Sequence, residues 1–255
     1  MKLGFIGTGK IASSVITGIC KSKIKFNKIL VSARNKTVAQ NLNKKFKKVI
    51  IIKNNQQIVD DCNWVFLSVT PSVGEQIIKN LKFKSNQTII SFISTITLAR
   101  LKKDIKVRAQ IVRAIPLPPI SLKKGPVPIC PPNRKVKEFF NHLGTTVEIK
   151  NEKSSINFWS TSGMMAPFYE LLRVMTDWLV KRGVKRNNAQ KYITSLFLAL
   201  SEDAVVNSKL NLKHLVKESQ TPKGLNEQGV RELTKAKFYK SIEKTLNSIH
   251  KRLSK

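Results

Sequence analysis

The sequence predicts a doubly wound α/β domain over residues 1–150, followed by an all-α domain over residues 151–255. Three observations predict it. The chain opens with GFIGTGKIA, Gly4 to Ala12, set between an apolar run and a segment of helical spacing. Strand-like apolar runs then alternate with helix-like stretches, the pattern of a parallel sheet covered by helices on both faces. After about residue 150 no strand signal of comparable strength remains.

The elements follow in chain order. Lys2 to Ile6 is apolar enough for one buried strand, and Ile11, Val15, Ile16 and Ile19 recur near helical spacing after it. Lys28–Ala33 (KILVSA), Lys48–Ile52 (KVIII), Trp64–Val69 (WVFLSV) and Gln87–Ile93 (QTIISFI) read as further strands. Their apolar character suits a sheet buried on both faces. Ser72 and Glu75 stand three apart, as a capping box for a helix starting near Ser72. The Pro-rich segment Ala114–Pro132 excludes a long helix and a central strand. Asn133–Gly144 reads as a helix with a glycine stop, and TTVEI as a last short strand. Beyond it, 156–181, 187–208 and 225–253 read as helices.

The opening motif carries chemistry because strand, Gly-turn and helix stand in the order that binds a diphosphate. Gly7 permits a tight turn, Gly9 leaves the main chain open to the phosphates, and Ala12 lets the helix sit close to the strand. The first amides of that helix, with its dipole, favour negative charge, and Lys10 adds a cation. This is a Rossmann-type arrangement. An acidic residue at the end of the second strand ordinarily grips the adenine ribose of NAD. Here no Asp or Glu precedes Asp60, and the strand ends in Ser32, Ala33, Arg34, Asn35 and Lys36. A cationic turn suits a ribose phosphate, so the sequence favours NADPH, with NADH as the alternative.

Composition bounds the rest. The net charge of +32 could serve phosphate binding, but the lysines are spread along the chain without the aromatic interleaving of a single-strand binder. No specific nucleic acid is expected as partner, and the charge steers small anions. Cys20, Cys62 and Cys130, like the three histidines, are scattered without metal-ligand spacing. The expectation is therefore no metal, reduced thiols and a cytoplasmic location. No apolar run approaches the ~18 residues of a membrane span, so no membrane association is expected.

Taken together, GFIGTGKIA, VFLSVTPS, ISFISTITLARL and VRAIPLPP in this order, with TPKGLNE in a loop before the last helices, resemble the pyrroline-5-carboxylate reductase family over nearly the whole chain. The resemblance implies hydride transfer from NADPH to a cyclic imine bearing a carboxylate, giving proline, and a helical dimerisation domain. It implies a homodimer or higher homo-oligomer, with faces such as Phe158, Trp159, Phe168, Leu171, Leu172, Met175 and Leu179 buried between copies. Carried over by position, Gly7, Thr8, Gly9, Lys10, Ile11 and Ala12 bind the diphosphate, Ser32, Arg34 and Asn35 the ribose phosphate, and Val69, Thr70 and Pro71 line the groove. Thr221, Lys223, Gly224, Leu225 and Asn226 form the substrate loop, with Asn226 the catalytic donor toward the imine nitrogen.

The loop departs from the family's SPGGTT in having Lys223 at a glycine position and Asn226 at a hydroxyl position. Leu117 and Pro118 replace the Asn-Thr pair of RAMPNTP, and Met164 and Met165 interrupt the stretch resembling SGSGPAY. Thr221 and Pro222 read as a helix cap followed by a first-turn proline. These changes keep two alternatives open: a related NAD(P)-dependent reductase of another imine or keto substrate, and a non-catalytic dinucleotide-binding regulator.

Overall fold

A computed structural model describes residues 1–254 and divides the chain into two compact units, Met1–Ser155 and Ile156–Lys255. The first carries one eight-stranded sheet: β1 Lys2–Ile6, β2 Lys28–Ser32, β3 Val49–Ile52, β4 Trp64–Leu67, β5 Thr88–Ser91, β6 Gln110–Ala114, β7 Pro126–Cys130 and β8 Thr145–Glu148. The spatial order is β3-β2-β1-β4-β5-β6-β7-β8. Every neighbouring pair is parallel except β6 with β7. The reversal of winding falls between β1 and β4, and a sheet of this order opens its ligand crevice at the strands' carboxyl ends there.

Six helices cover the sheet: α1 Lys10–Lys21, α2 Lys36–Lys45, α3 Asn55–Asp61, α4 Pro71–Lys79, α5 Leu98–Asp104 and α6 Arg134–Asn141. Because side chains alternate along a strand, β1 and β4 feed two cores. Leu3, Phe5 and Phe66 join Val15, Ile16, Ile19, Phe139 and Phe140 on one face. Ile6, Val65 and Leu67 join Ile58, Val59, Ile78 and Leu101 on the other. Phe5 and Phe66 stack across the reversal with ring centroids 4.3 Å apart. Each such side chain, fully buried, contributes about 1.5–3 kcal/mol.

Three local expectations are corrected. β7 lies between β6 and β8, although it contains Pro126 and Pro128. Both prolines have the same parity. The Pro128 carbonyl accepts from Ile115 N at 3.2 Å, so the missing donors face β6, where pairing covers only Arg113 with Cys130 and Ala114 with Ile129. The opposite parity serves β8, where Thr145 N and Ile149 N donate to the carbonyls of Gly125 and Ile129. Next, α4 starts at Pro71 with Thr70 as its N-cap, so Ser72 and Glu75 form no capping box. Last, α6 ends at Asn141, ahead of Gly144. A Cβ at Gly144 would stand 2.4 Å from the Gly125 carbonyl oxygen, so the position serves strand approach and not a helix stop.

The helical unit holds α7 Ser155–Ser162, α8 Met165–Val180, α9 Arg186–Val206, α10 Leu212–Glu218, α11 Leu225–Lys235 and α12 Phe238–Leu253. The stretch expected as one helix over 156–181 breaks at Gly163 and Met164. That over 225–253 breaks at Ala236 and Lys237, whose φ is 58°. α8 and α9 meet through Phe168 and Phe197, with ring centroids 6.0 Å apart. Asp177 joins the same two helices by bonding Arg173 and Arg186 at 2.6 and 2.9 Å. Among the described residues no helix is long and apolar enough to cross a membrane, and no group of three His, Cys, Asp or Glu could hold a metal ion.

Candidate active site

A cavity of about 520 Å³ opens at the carboxyl ends of β1, β2 and β4. Its floor is Gly7, Thr8 and Gly9, one wall Arg34, Asn35 and Lys36, the other Ser68, Val69 and Thr70. Gly7 sits at φ 100°, and a Cβ there would stand 2.5 Å from the Ser68 carbonyl oxygen. Only glycine satisfies both conditions. Gly9 is different: a Cβ on it meets no atom within 4 Å, so its bareness leaves space open over the start of α1. Gly9 is also the N-cap of α1, and no side chain caps that end. The first amides of α1 are left for a ligand.

Two serines fasten the turn. Ser32 is buried, and its Oγ accepts from Gly7 N at 2.9 Å. Ser68 Oγ donates to the Gly7 and Ile6 carbonyls at 2.7 and 3.2 Å. Ser32, expected at the ribose phosphate, therefore braces the turn from beneath and leaves that wall to its exposed neighbours Arg34 and Lys36. Asn35 lines the wall and also caps α2, accepting from Val38 N at 3.3 Å. Lys10 is exposed, Ile11 half-buried and Ala12 buried against the sheet, so among these α1 offers its backbone and one cation. Pro71 begins α4 outside the lining. No carboxylate belongs to the cavity wall.

The helical unit contains the loop between α10 and α11. Gly224 N donates to the Thr221 carbonyl at 2.8 Å, closing a turn with Pro222 second and Lys223 third at φ 62°. That is the position of a reverse turn where glycine is ordinarily required. The expectation that Thr221 caps the helix is thus corrected: Gly224 is the N-cap and Leu225 the first helical residue. Glu227, in the first turn of α11, accepts from Lys223 N at 2.5 Å. Asn226 Nδ2 donates to the Ser219 carbonyl at 2.8 Å, so the proposed catalytic amide is partly engaged in holding the loop. Leu225 is exposed. A cavity of about 710 Å³ beside the turn is lined by Lys213, His214, Lys217, Thr221, Pro222 and Glu227, among others.

Comparison with known proteins accounts for both halves. A family model described as NADP oxidoreductase, coenzyme F420-dependent, matches residues 2–95. One described as pyrroline-5-carboxylate reductase dimerisation matches residues 157–255. The C-terminal unit thus matches the dimerisation domain of the pyrroline-5-carboxylate reductases, and the chain as a whole is similar to reductases of that family. Among its relatives, pyrroline-5-carboxylate reductase 3 of Xenopus laevis is 24% identical over 92% of this chain and 88% of its own length. Pyrroline-5-carboxylate reductase of Pseudomonas aeruginosa is 23% identical over 98% of this chain and 95% of its own. The solved pyrroline carboxylate reductase of Plasmodium falciparum, with NADP bound, is 22% identical and superposes with a TM-score of 0.82 over 99% of this chain and 96% of that one. That of Coxiella burnetii is 19% identical with a TM-score of 0.83 over 98% and 96%. These structures share the fold of this chain.

The fold brings Gly7, Thr8, Gly9, Arg34, Asn35, Val69 and Thr70 to one cavity. Thr221, Lys223, Gly224, Leu225 and Asn226 share one loop of the other unit. Sequence reasoning missed the brace from Ser68 and, although Glu227 reads as a cap for the helix after the loop, its bond to Lys223 N. A serine directly after a buried strand, opposite a Gly-turn, was the available signal for the first. The second depends on a turn geometry that local pattern does not show.

Proposed function

We propose that the protein reduces a carboxylated cyclic imine, 1-pyrroline-5-carboxylate, to proline with NADPH. The observation that carries this reading is the cavity at the β1–β4 reversal, cationic at the end of β2 and free of carboxylate, in a chain whose relatives are pyrroline-5-carboxylate reductases. The residues fit the cofactor: open space over Gly9 admits a diphosphate, α1 presents its first amides, and Arg34 and Lys36 suit a ribose phosphate. NADPH, when bound, supplies the hydride. The protein's part is to bind, orient and stabilise charge.

In this reading Gly7 to Ala12 seat the diphosphate, Asn35 and Arg34 the adenine ribose, and Val69, Thr70 and Pro71 flank the groove. Thr221 to Asn226 hold the substrate, with Lys223 near its carboxylate. Asn226 keeps one Nδ2 proton on Ser219 and directs the other at the imine nitrogen, whose lone pair develops as hydride arrives at carbon. The substrate enters as the protonated iminium, so nitrogen keeps that proton and no side chain need deliver one. A homodimer and a cytoplasmic setting belong to the same proposal, supported by the dimerisation match and by three free cysteines.

A second reading, reduction of another imine or keto compound, has one observation in its favour: Glu227 already places a carboxylate on Lys223 N. A turnover panel separates the two. Purified protein is mixed with NADPH or NADH and with five- and six-membered imines, with and without a carboxylate, and cofactor absorbance is followed. Fastest turnover of pyrroline-5-carboxylate with NADPH supports the first reading. Preference for uncharged imines supports the second. A cofactor-dependent rise in melting temperature without turnover of any substrate supports a binding regulator.

A further inference from the structure

The carboxyl edge of β5 and β6 carries a charged cluster that plays no part in the function just proposed. Arg113, next to last in β6, is 3% exposed. Its Nη1 donates to Glu152 Oε1 and its Nη2 to the Ser94 carbonyl. Glu152 Oε1 also accepts from Leu98 N at 2.8 Å. Ser94 and Leu98 are the two ends of the turn that leaves β5 and enters α5, so the bonds close a ring around that turn. Within it Ile96 is buried, Ser94, Thr95 and Thr97 are exposed, and Thr97 caps α5 by accepting from Arg100 N at 3.2 Å.

Position gives this ring its meaning. In a sheet of order 3-2-1-4-5-6 the two nucleotides of a dinucleotide lie on opposite sides of the β1–β4 crossing. The β1–β2 side holds Arg34 and Lys36, which mark it for the adenosine phosphate. The other nucleotide then lies over the ends of β4, β5 and β6, where the Ser94–Thr97 turn stands. The turn also adjoins the cavity wall through Gly74. A Cβ there would lie 3.1 Å from Ile93, 3.2 Å from Ile96 and 3.5 Å from Val69.

Stability alone does not explain the pair. A buried ion pair is often matched or bettered by apolar residues of similar volume. A four-residue turn with three exposed residues needs no buried guanidinium in order to exist. It does need one point of fixation at each end if a reacting ring must lie on it, because misplacement by about 1 Å can cost about 100-fold in rate. Glu152 is close to Ser155, the last residue of the first unit, so the same pair anchors the segment that leaves the sheet.

We propose that Arg113 and Glu152 form a positioning clamp that fixes the Ser94–Thr97 turn as the shelf for the nicotinamide half of the cofactor. The proposal rests on the dinucleotide reading of the cavity. The test compares wild type, Glu152→Gln and the apolar double variant Arg113→Met with Glu152→Leu. Calorimetry measures affinity for 2′,5′-ADP, which reports the adenosine half alone, and for NADP⁺. Thermal midpoint and turnover are measured alongside. In Glu152→Gln, 2′,5′-ADP affinity should hold within about twofold, while NADP⁺ affinity and turnover fall about tenfold or more. The double variant should recover the thermal midpoint and not the NADP⁺ affinity or turnover. Recovery of all three would make the pair merely structural and overturn the proposal. So would an unchanged ratio of the two affinities in both variants. Wild-type protein that binds neither ligand would overturn the dinucleotide reading itself, and the clamp with it.

Discussion

At the scale of single residues, charge and backbone angle decide more than side-chain size. Arg34 is exposed, near a cavity with no carboxylate on its wall. Replacing it with Ala should weaken NADPH binding by about 1–3 kcal/mol, the range for a charged hydrogen-bond donor, and leave NADH binding nearly unchanged. Calorimetry with both cofactors decides this, and equal losses would contradict it. Lys223 is held at φ 62°, where a side chain costs on the order of 1 kcal/mol. Lys223→Gly should therefore raise the thermal midpoint slightly. If the ammonium serves the substrate carboxylate, the same change should raise KM for carboxylated imines more than it lowers kcat. An unmoved KM would leave Lys223 a solvated cation. The thiols act through burial: it pushes Cys20 up to about 11, Cys62 up to about 12, with the Asp61 charge adding to the latter, and Cys130 upward as well. A folded thiol with a raised value favours the neutral form. Its stabilising contribution is whole below the ordinary value of 9.0 and disappears as pH climbs toward 11 to 12. Native protein at pH 8 should react slowly with a thiol reagent, and unfolded protein should release all three thiols at once. Cys62→Ala should soften the alkaline loss of denaturant resistance, and an identical loss in the variant would refute the assignment.

At the scale of elements, asparagine does what the composition alone did not reveal. Asn35, Asn54, Asn133 and Asn211 each accept a hydrogen bond from the first turn of α2, α3, α6 and α10. Asn133→Ala should cost about 1 kcal/mol by denaturant titration, since α6 carries Val136, Phe139 and Phe140 into the core. Proline obeys parity in β7. Ile129→Pro would place a missing donor on the β8 side and should cost about 3 kcal/mol or more, whereas Pro126 and Pro128 sit where the ladder is already short. An Ile129→Pro variant of native stability would show that β8 pairing is dispensable. Strands β1 to β5 and β8 were legible as apolar runs bounded by turns. β6 was not, because its Arg113 looks like a surface residue until Glu152, 39 positions on, supplies its partner. β7 was not, because proline content is visible in sequence and proline parity against neighbouring strands is not. The floor of the candidate cavity was legible for the converse reason: it is one local strand–turn–helix. Ser32 was misplaced because its hydroxyl bonds a residue 25 positions away. The Thr221–Gly224 turn is not legible as a turn, because it depends on a positive φ that lysine does not advertise.

At the scale of the molecule, the helical unit is short of core. Among its described residues only Ala189 and Ile193 are buried hydrophobic side chains. Of the exposed large hydrophobics, all but Met1, Val107 and Leu122 belong to this unit. Phe168, Tyr169, Trp178, Leu198 and Leu200 are each more than two-fifths exposed, and Val206 is 81% exposed. A patch of this kind marks an association surface, and the dimerisation match says what covers it: a second copy. Net charge works against that pairing. Each chain carries +32, so two copies repel, and salt screens the repulsion over about 8–10 Å. Apolar contact gains from the same salt when the anion is strongly hydrated. The two effects have one sign, so the dimer should tighten as ionic strength rises, the reverse of an assembly held by opposite charges. Light scattering at micromolar concentration should give twice the chain mass of 28.8 kDa or a higher multiple. Dilution at low salt should lower both the mass and the thermal midpoint, since association stabilises the folded chain by mass action. Added sodium sulfate should restore them. A monomer at micromolar concentration in moderate salt, or dissociation on adding salt, would overturn the apolar account of assembly.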